Sequence, residues 1–302
     1  MITNPDLHLH THYSDGLESP ETVVSRAKAK GFDVIAVTDH DGMGGVEAAV
    51  EAGRKLGIPV IRGVEFSAEF DNTDGKFDAP TGMAYMHLLG YGMDPENSAL
   101  KEMLEFIRAN RVERNLKLQK IFEYLGYPMS MKELESHALN GFVGKRSFAQ
   151  ILVERGACKT VSDAFRSEKF LRHPEIRKIH MYKIPAQEAI KIVRGAGGKV
   201  FFAHPFQLSY STSHEDSQAV YEANIERVIK SLKSLGMEGI ECYYPTHSPE
   251  QTAFLLDMAK RLDMLVSRGS DDHGEGARPV KQMGNFSVSP DLSVLQWIED
   301  FV

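Results

Sequence analysis

The first 65 residues alternate between short apolar runs and amphipathic segments, and this alternation limits the folds open to the chain. Ser19 followed by Pro20 is a typical helix start, because Ser caps the helix and Pro suits its first position. The predicted elements are a strand starting near Asp6, strands Val34–Thr38 and Val60–Val64, and helices at about 20–30 and 45–56. Repeated β-α-β units of this kind predict a parallel sheet with right-handed crossovers.

A fourth strand is predicted at about Met83–Gly90, after which the pattern becomes helical. The segment 94–194 is expected to hold helices at about 96–125, 131–138, 146–155 and 161–170. Strands Val200–Ala203, Gly239–Tyr243 and Leu265–Ser267 follow, separated by helices at about 219–235 and 249–262. We therefore predict an α/β fold with seven strands, formed by residues 1–93 and 195–302, and a mainly helical insertion at 94–194 over the strand ends.

Composition narrows the class of protein. The 302 residues include 35 basic and 42 acidic side chains, which gives a formal charge of −7. A net negative surface argues against stable binding to duplex nucleic acid, although a local positive site can still hold phosphate. The two cysteines form no disulfide framework, which indicates a reducing compartment. No apolar run reaches ~20 residues and no signal peptide is recognisable, so we expect no membrane span and a cytoplasmic location.

Ionisable side chains follow the predicted strands at the end where parallel sheets carry their sites. His8 and His10 alternate along the first strand and therefore point the same way. The whole set is His8, His10, Asp15, His40, Glu65, His87, His204, Asp271 and His273. Each has an ordinary alternative: a lone His is often a hydrogen-bonded loop or core residue, Asp15 suits a turn, and Asp271 suits a helix cap.

Nine such residues on one rim are harder to explain separately, and they indicate a metal centre. Mixed imidazole and carboxylate ligands favour Zn, Mn or Fe over Mg or Ca. Nine ligands are too many for one ion, so the set predicts two or three.

Six motifs together resemble one family. They are HLHTHYSDG, VTDHD, GVEFS, HLLGYG, FAHP and GSDDHG, and they run in order from Asp6 to Gly274. This series resembles the PHP (polymerase and histidinol phosphatase) family of the amidohydrolase-like superfamily. The resemblance implies a distorted seven-stranded barrel that holds three divalent ions.

The resemblance also implies how the ligands are shared among these ions. His8, His10, Glu65 and Asp271 would hold the first ion. Glu65 would bridge to a second ion, which His87 and His204 complete. Asp15, His40 and His273 would hold the third.

Three divalent ions and three carboxylates leave a net charge of about +3, and a bridging hydroxide reduces it to about +2, which suits a phosphate monoester dianion. The mechanism implied is hydrolysis of a phosphoester, with a metal-bridging hydroxide attacking phosphorus and Asp271 among the catalytic residues. The SDG motif, the insertion and the YYPTHS segment resemble a subgroup acting on nucleotide phosphates, including 3′,5′-bisphosphonucleotides, or on RNA 5′ ends. A small nucleotide or short oligonucleotide is therefore the expected substrate. Histidinol-phosphate phosphatase and a non-catalytic binding module remain alternatives, and the metal chemistry would also allow amide hydrolysis.

A few further residues are candidates for substrate contacts. His247 could contact phosphate or protonate the leaving oxygen, or simply precede the helix at Pro249. Lys145 and Arg146 fall in a segment, GKRSF, that resembles a family segment with phosphate-binding basic groups. Asp41 could orient a ligand or serve a turn. His12 is left out of the ligand set, because related sequences do not rely on a histidine there.

Overall fold

The sheet follows the predicted order of elements, with one change of strand direction in its middle. The computed structural model describes residues 2–138, 142–210 and 217–302. Its strands are β1 (Pro5–Leu9), β2 (Val34–Val37), β3 (Val60–Asp71), β4 (Met83–Tyr91), β5 (Ile184–Pro185), β6 (Lys199–Phe202), β7 (Ser209–Tyr210), β8 (Gly239–Tyr243) and β9 (Leu265–Arg268). The main path through the sheet runs β1-β2-β3-β4-β6-β8-β9, while β5 pairs with β3 and β7 pairs with β4.

Ten helices are described. They are α1 (Pro20–Ala29), α2 (Val46–Leu56), α3 (Ser98–Tyr124), α4 (Met131–Ser136), α5 (Lys145–Glu154), α6 (Val161–Arg166), α7 (Pro174–Arg177), α8 (Ala186–Gly195), α9 (Gln218–Ser234) and α10 (Pro249–Arg261), with 3₁₀ segments at Pro205–Gln207 and Leu292–Phe301. The predicted cap of α1 is confirmed, since the Ser19 side chain accepts a hydrogen bond from the Thr22 amide. None of the described helices is both long and apolar enough to cross a bilayer.

The prediction that the third strand ends before Glu65 is wrong. β3 continues to Asp71 and pairs antiparallel with β4, so Glu65 and His87 project from the middle of a long two-stranded ribbon. β4 is also antiparallel to β6, whereas the other neighbouring pairs along the main path are parallel. The sequence could not show this reversal, because an apolar run interrupted by a charged residue resembles a strand end.

The mostly parallel α/β fold is confirmed. The first and last strands of the main path approach each other at one backbone bridge, between Leu9 and Asp272. The His10 amide donates to the Asp272 carbonyl at 2.9 Å in the same place. Closure of the sheet into a seven-stranded barrel stays a prediction.

The core has separate parts. The largest hydrophobic cluster packs the sheet against helices that include α8, α9 and α10. A second cluster is formed wholly by side chains between Leu118 and Ile176. The helical region therefore has apolar packing of its own, which fixes its helices relative to one another.

Candidate metal centre

The structure brings all nine predicted ligands together. Groups of ligand atoms lying within 4.8 Å of one another are His10, Asp15, His40 and His273; His8, His10, Glu65 and Asp271; and His40, Glu65 and His87. His204 joins them through Nε2, which lies 2.9 Å from Glu65 Oε1. The strands supply His8, Glu65 and His87, while the other six follow strand ends.

Glu65 lies at the centre and its two oxygens face different partners. Oε1 lies 2.8 Å from His87 Nδ1 and 2.9 Å from His204 Nε2. Oε2 lies 3.3 Å from the Nε2 atoms of both His8 and His10, and 2.9 Å from His40 Nδ1. One carboxylate therefore connects two imidazole clusters, which is the arrangement a bridging ligand requires.

The two aspartates complete the cluster on either side of His10. Asp271 Oδ1 lies 3.1 Å from His10 Nε2 and 3.7 Å from His8 Nε2. Asp15 Oδ1 lies 3.0 Å from His273 Nε2 and 3.6 Å from His40 Nε2.

The residues present fit divalent cations. Within the described residues, six buried ligand atoms lie close to one another but make no hydrogen bond of acceptable geometry: the Nε2 atoms of His8, His10 and His273, His40 Nδ1, Asp15 Oδ1 and Glu65 Oε2. Buried polar atoms are normally satisfied, because leaving one unpaired is costly. Cations bound among these atoms would satisfy them together, and the nitrogen and oxygen donors suit Zn, Mn or Fe.

The buried carboxylates and imidazoles of the cluster shift one another's pKa values. Burial raises the pKa of Glu65, yet the imidazoles of His87, His40 and His8 hold it well below the usual value. Burial lowers the pKa of His40, but Glu65 and Asp15 outweigh it and raise the value to about 9. Protonated imidazoles thus supply part of the charge that metal ions would bring.

Backbone strain is concentrated at this cluster. Among the described residues, four that are not glycine have a positive φ, and three of them are His204 (28°), Asp41 (54°) and Asp271 (53°). The fourth, Asp263, follows α10. Sparsely populated backbone conformations persist where the surrounding structure enforces them, and they are frequent at functional sites.

Comparison with known proteins identifies the family. The PHP domain model matches residues 6–277. The chain belongs to the PHP family. It is 30% identical over 285 residues to a 3′,5′-nucleoside bisphosphate phosphatase of Chromobacterium violaceum, with 92% of this chain and 91% of that protein covered.

Two further relatives extend the comparison. The chain is 28% identical over 273 residues to a 5′-3′ exoribonuclease of Haemophilus influenzae, covering 90% of this chain and 91% of that one. A solved structure described as a metal-dependent phosphoesterase, from Bifidobacterium adolescentis, superposes with a TM-score of 0.78 at 28% identity, covering 99% and 97% of the two chains. The predicted family and the predicted enzyme class, a hydrolase of phosphoric esters that depends on metal, are confirmed.

Sequence reasoning missed Glu241, whose carboxylate contacts two of the nine predicted ligands, His8 and His204. Its buried carboxylate lies 2.9 Å from His8 Nδ1 and accepts a hydrogen bond from the His204 amide at 2.8 Å. A carboxylate holding Nδ1–H leaves the Nε2 lone pair of His8 facing the cluster. The available signal was a Glu inside the otherwise apolar strand β8.

Gly269 makes this arrangement possible. A Cβ there would lie 2.2 Å from the His8 Cβ and 2.5 Å from Glu241 Oε1. The backbone that follows β9 can therefore lie this close to His8 and Glu241 only because residue 269 has no side chain.

Two residues that the sequence did not indicate donate hydrogen bonds to Oδ2 of Asp271. The Tyr244 hydroxyl donates to Asp271 Oδ2 at 2.7 Å, and Lys281 Nζ donates to the same oxygen at 2.5 Å. Oδ1 is thereby left to face His8 and His10. Nothing in the spacing of Tyr244 or Lys281 predicted these contacts.

A cavity of about 550 Å³ opens beside the cluster. Asp15, His40 and His87 line it, together with cations on the helical segment. These cations are Arg111 and Arg114 on α3 and Lys145 and Arg146 at the start of α5. The structure therefore places both predicted basic residues on the cavity wall, and it adds two arginines that sequence reasoning missed. The side chains of Phe142 and Phe165 add apolar surface.

His247 lies apart from the cavity lining. It is 2% exposed, and its Nδ1 lies 3.1 Å from the Cys242 carbonyl, which can only accept. Nδ1 therefore carries the proton, and Nε2 is buried with no hydrogen-bond partner in the described part of the chain. Burial lowers the pKa of His247 to about 4. A neutral ring with this tautomer offers a lone pair at Nε2, so its role as proton donor or phosphate contact gains no support from its position and stays a prediction.

His12 and Asp41 also line the cavity. His12 belongs to none of the three ligand groups. Asp41 accepts hydrogen bonds from the Ser67 amide at 2.8 Å and from Arg111 Nη2 at 2.8 Å. It therefore connects the loop after His40 to β3 and to α3.

Proposed function

We propose that this PHP protein is a metal-dependent phosphatase that hydrolyses a phosphate monoester of a small nucleotide or short oligonucleotide. The observation that carries the proposal is a ring of buried imidazole and carboxylate atoms that make no hydrogen bond within the described residues and that lie beside a cavity with cationic walls. The ring supports metal binding and the walls support an anionic substrate. The cavity volume lies in the range of small-molecule sites.

We propose three divalent ions, of Mn, Zn or Fe. The two faces of Glu65 support the sharing of this carboxylate, with His8, His10 and Asp271 on one side and His87 and His204 on the other. The short distances from Asp15 to His40 and His273 support a third site. When bound, such ions would activate water and offset the charge of the phosphoryl group.

The side chains of the protein have defined tasks in this scheme. Glu241 keeps His8 in the tautomer that presents its Nε2 lone pair. Tyr244 and Lys281 bind one oxygen of Asp271, so that the other is directed inward. The ligands are thereby oriented before substrate arrives, which reduces the reorganisation needed during reaction.

The substrate side of the cavity is contributed by residues 94–194, which we treat as an insertion. Lys145 and Arg146 are positioned to contact a phosphate, Arg by paired N–H groups and Lys as a point charge. The rings of Phe142 and Phe165 offer apolar surface for a nucleobase. The names of the Chromobacterium and Haemophilus relatives, a nucleotide phosphatase and an exoribonuclease, support a nucleotide or oligonucleotide substrate.

The test is release of inorganic phosphate by the Mn-loaded protein. Adenosine 3′-phosphate, adenosine 3′,5′-bisphosphate, a 5′-phosphorylated oligoribonucleotide and histidinol phosphate are compared at equal concentration. The proposal predicts turnover of at least one nucleotide and much slower turnover of histidinol phosphate. The reverse order would overturn it in favour of histidinol-phosphate phosphatase. No turnover with Mn, Zn or Fe would favour a binding module.

A further inference from the structure

The polar segment that follows the last predicted metal ligand forms a closed loop. Residues 274–283, called the strap below, begin and end on one carboxylate. Asp272 Oδ1 accepts a hydrogen bond from the Gly274 amide at 2.8 Å, and its Oδ2 accepts one from the Met283 amide at 2.9 Å. The Gln282 side chain donates to the Gly274 carbonyl at 3.2 Å across the same gap. The two ends of the strap are therefore fixed to each other and to Asp272.

Asp272 is itself held by an ion pair. Arg26 on α1 binds it through two nitrogens, with Nη1 3.1 Å from Oδ2 and Nη2 2.5 Å from Oδ1. Asp272 is 1% exposed, and the Arg26 side chain is 13% exposed. Glu18 extends the contact, because it accepts a hydrogen bond from Arg26 Nε at 2.9 Å and another from the Glu275 amide at 3.1 Å. Removing one member of a buried charge pair is strongly unfavourable, so this anchor resists opening.

The strap carries two cations to the metal centre. Arg278 Nη2 lies 2.9 Å from Asp15 Oδ2, and Lys281 Nζ lies 2.5 Å from Asp271 Oδ2. In both aspartates the other oxygen, Oδ1, faces an imidazole nitrogen, at 3.0 Å for Asp15 and 3.1 Å for Asp271. One short segment thus binds the outer oxygens of both aspartates of the cluster.

A cation beside a metal ligand has two opposite effects on metal binding. It fixes the orientation of the carboxylate, which favours binding of an ion by the free oxygen, and it also repels that ion. The Arg278 side chain is 41% exposed, so water and salt weaken the repulsion. Asp15 lies in the turn after β1 and is 28% exposed, so without Arg278 its carboxylate could rotate toward solvent. We therefore expect the effect on orientation to dominate.

We propose that the strap positions both aspartate ligands, with Arg278 as the positioning residue for Asp15 and Asp272 as the anchor of the strap. The proposal rests on the metal-dependent function proposed above. It adds Arg278, Asp272 and Arg26 to the residues on which metal binding depends. Each cation of the strap acts on a different ion, because Asp15 and Asp271 belong to different groups of ligand atoms.

The experiment counts and locates Mn²⁺ ions in Arg278→Met. Calorimetric titration of the metal-free protein gives the number and affinity of the ions, and anomalous density in Mn-loaded crystals shows which ion is affected. We expect the ion at Asp15 to bind roughly tenfold more weakly or worse, as for other outer-sphere partners of ligands, and the remaining ions to bind as in wild type. Lys281→Met should instead weaken the ion at Asp271.

Glu275→Gln is the matched control on the strap. Its side chain is exposed, and it is the amide of this residue that contacts Glu18. The control should bind every ion like wild type. Circular dichroism shows that each variant is folded, and the exposure of Arg278 makes its replacement compatible with the fold.

The anchor has a separate readout. In Asp272→Asn a single amide oxygen replaces two carboxylate oxygens, so one of the Gly274 and Met283 amides loses its acceptor. Hydrogen–deuterium exchange of these two amides should become faster, and the ions at both aspartates should bind more weakly. If Asp272→Asn does not fold, Arg26→Met is measured in the same way. Unchanged exchange, or faster exchange with unchanged ion binding, would overturn the role of the anchor.

Three results would overturn the role of Arg278. Equal or tighter binding of the ion at Asp15 in Arg278→Met would mean that the cation does not position this ligand. Equal weakening of all ions would mean a general structural role. Unchanged ion binding with loss of phosphate release would mean that Arg278 serves the substrate.

Failure of the proposed function is distinguishable, because wild type decides it. If wild type binds Mn²⁺ but releases no phosphate, the proposed activity fails and the comparison of ion binding still decides the role of the strap. If wild type binds no ion, the metal centre and the positioning role are both overturned. If wild type binds ions and the variants bind them equally, only the positioning role is overturned.

Discussion

Glu241→Gln should weaken metal binding while the fold is retained. The wild-type carboxylate satisfies two donors, His8 Nδ1–H and the His204 amide. Glutamine has one oxygen and one NH₂ group, so one of the two donors would face another donor. An unsatisfied buried donor costs about 1–3 kcal/mol, which corresponds to roughly 5- to 150-fold in affinity at 1.36 kcal/mol per tenfold. Loss of an outer-sphere partner of a metal ligand typically costs about 10- to 100-fold in metal affinity, which lies within this range.

The effect would pass through the orientation of His8 and His204. If His8 took the other tautomer to suit the amide, its proton would lie on Nε2, the atom that faces Glu65 and Asp271. If the His204 amide lost its acceptor instead, the strained backbone at that residue would relax. Either change disturbs a side chain that contacts Glu65.

The assay is calorimetric titration of metal-free protein with Mn²⁺, together with circular dichroism to show that the variant is folded. Glu238→Gln is the matched control. Glu238 lies immediately before the first residue of β8, and its carboxylate accepts a hydrogen bond from the Val200 amide. We expect the control to bind Mn²⁺ like wild type. Unchanged affinity in folded Glu241→Gln would refute the reasoning.

Three further predictions follow from the same cluster. Asp271→Asn should abolish phosphate release with the fold retained, and near-normal turnover would refute its assignment as a ligand. In the metal-free protein His40 has a pKa of about 9 and is protonated at pH 7. Because a histidine ligand must be neutral, the affinity for Mn²⁺ should rise with pH up to about 9, and binding should release protons. Calorimetric titration in two buffers measures both effects. Affinity independent of pH would contradict this. Gly269→Ala should lower both the thermal midpoint and Mn²⁺ affinity, because its Cβ would lie 2.2 Å from that of His8, whereas Gly195→Ala, with no atom within 4 Å, should change neither.

The convergence of the nine side chains could be predicted from the sequence because it follows from chain geometry. In β-α-β units the carboxyl ends of parallel strands meet, so ionisable residues after each apolar run converge. His40, His204 and Asp271 lie where that rule predicts. Glu65 and His87 also converge, but from the interior of an antiparallel pair that the rule does not describe.

The supporting residues could not be predicted because their partners are distant in sequence. Glu241 contacts His8 across 233 positions, and Arg111 contacts Asp41 across 70. On the long charged helix α3, Arg111 and Arg114 look like any solvated basic residues, and only the packing of that helix over the cavity distinguishes them from Arg108.

The most direct test of the central claim is a crystal structure of the Mn-loaded protein with anomalous difference density. We predict one peak among the Nε2 atoms of His8 and His10, Glu65 Oε2 and Asp271 Oδ1. A second peak is expected between Glu65 Oε1 and the rings of His87 and His204. A third is expected between Asp15, His40 and His273. Absence of density at this cluster in protein that retains Mn²⁺, or density bound elsewhere, would contradict the account.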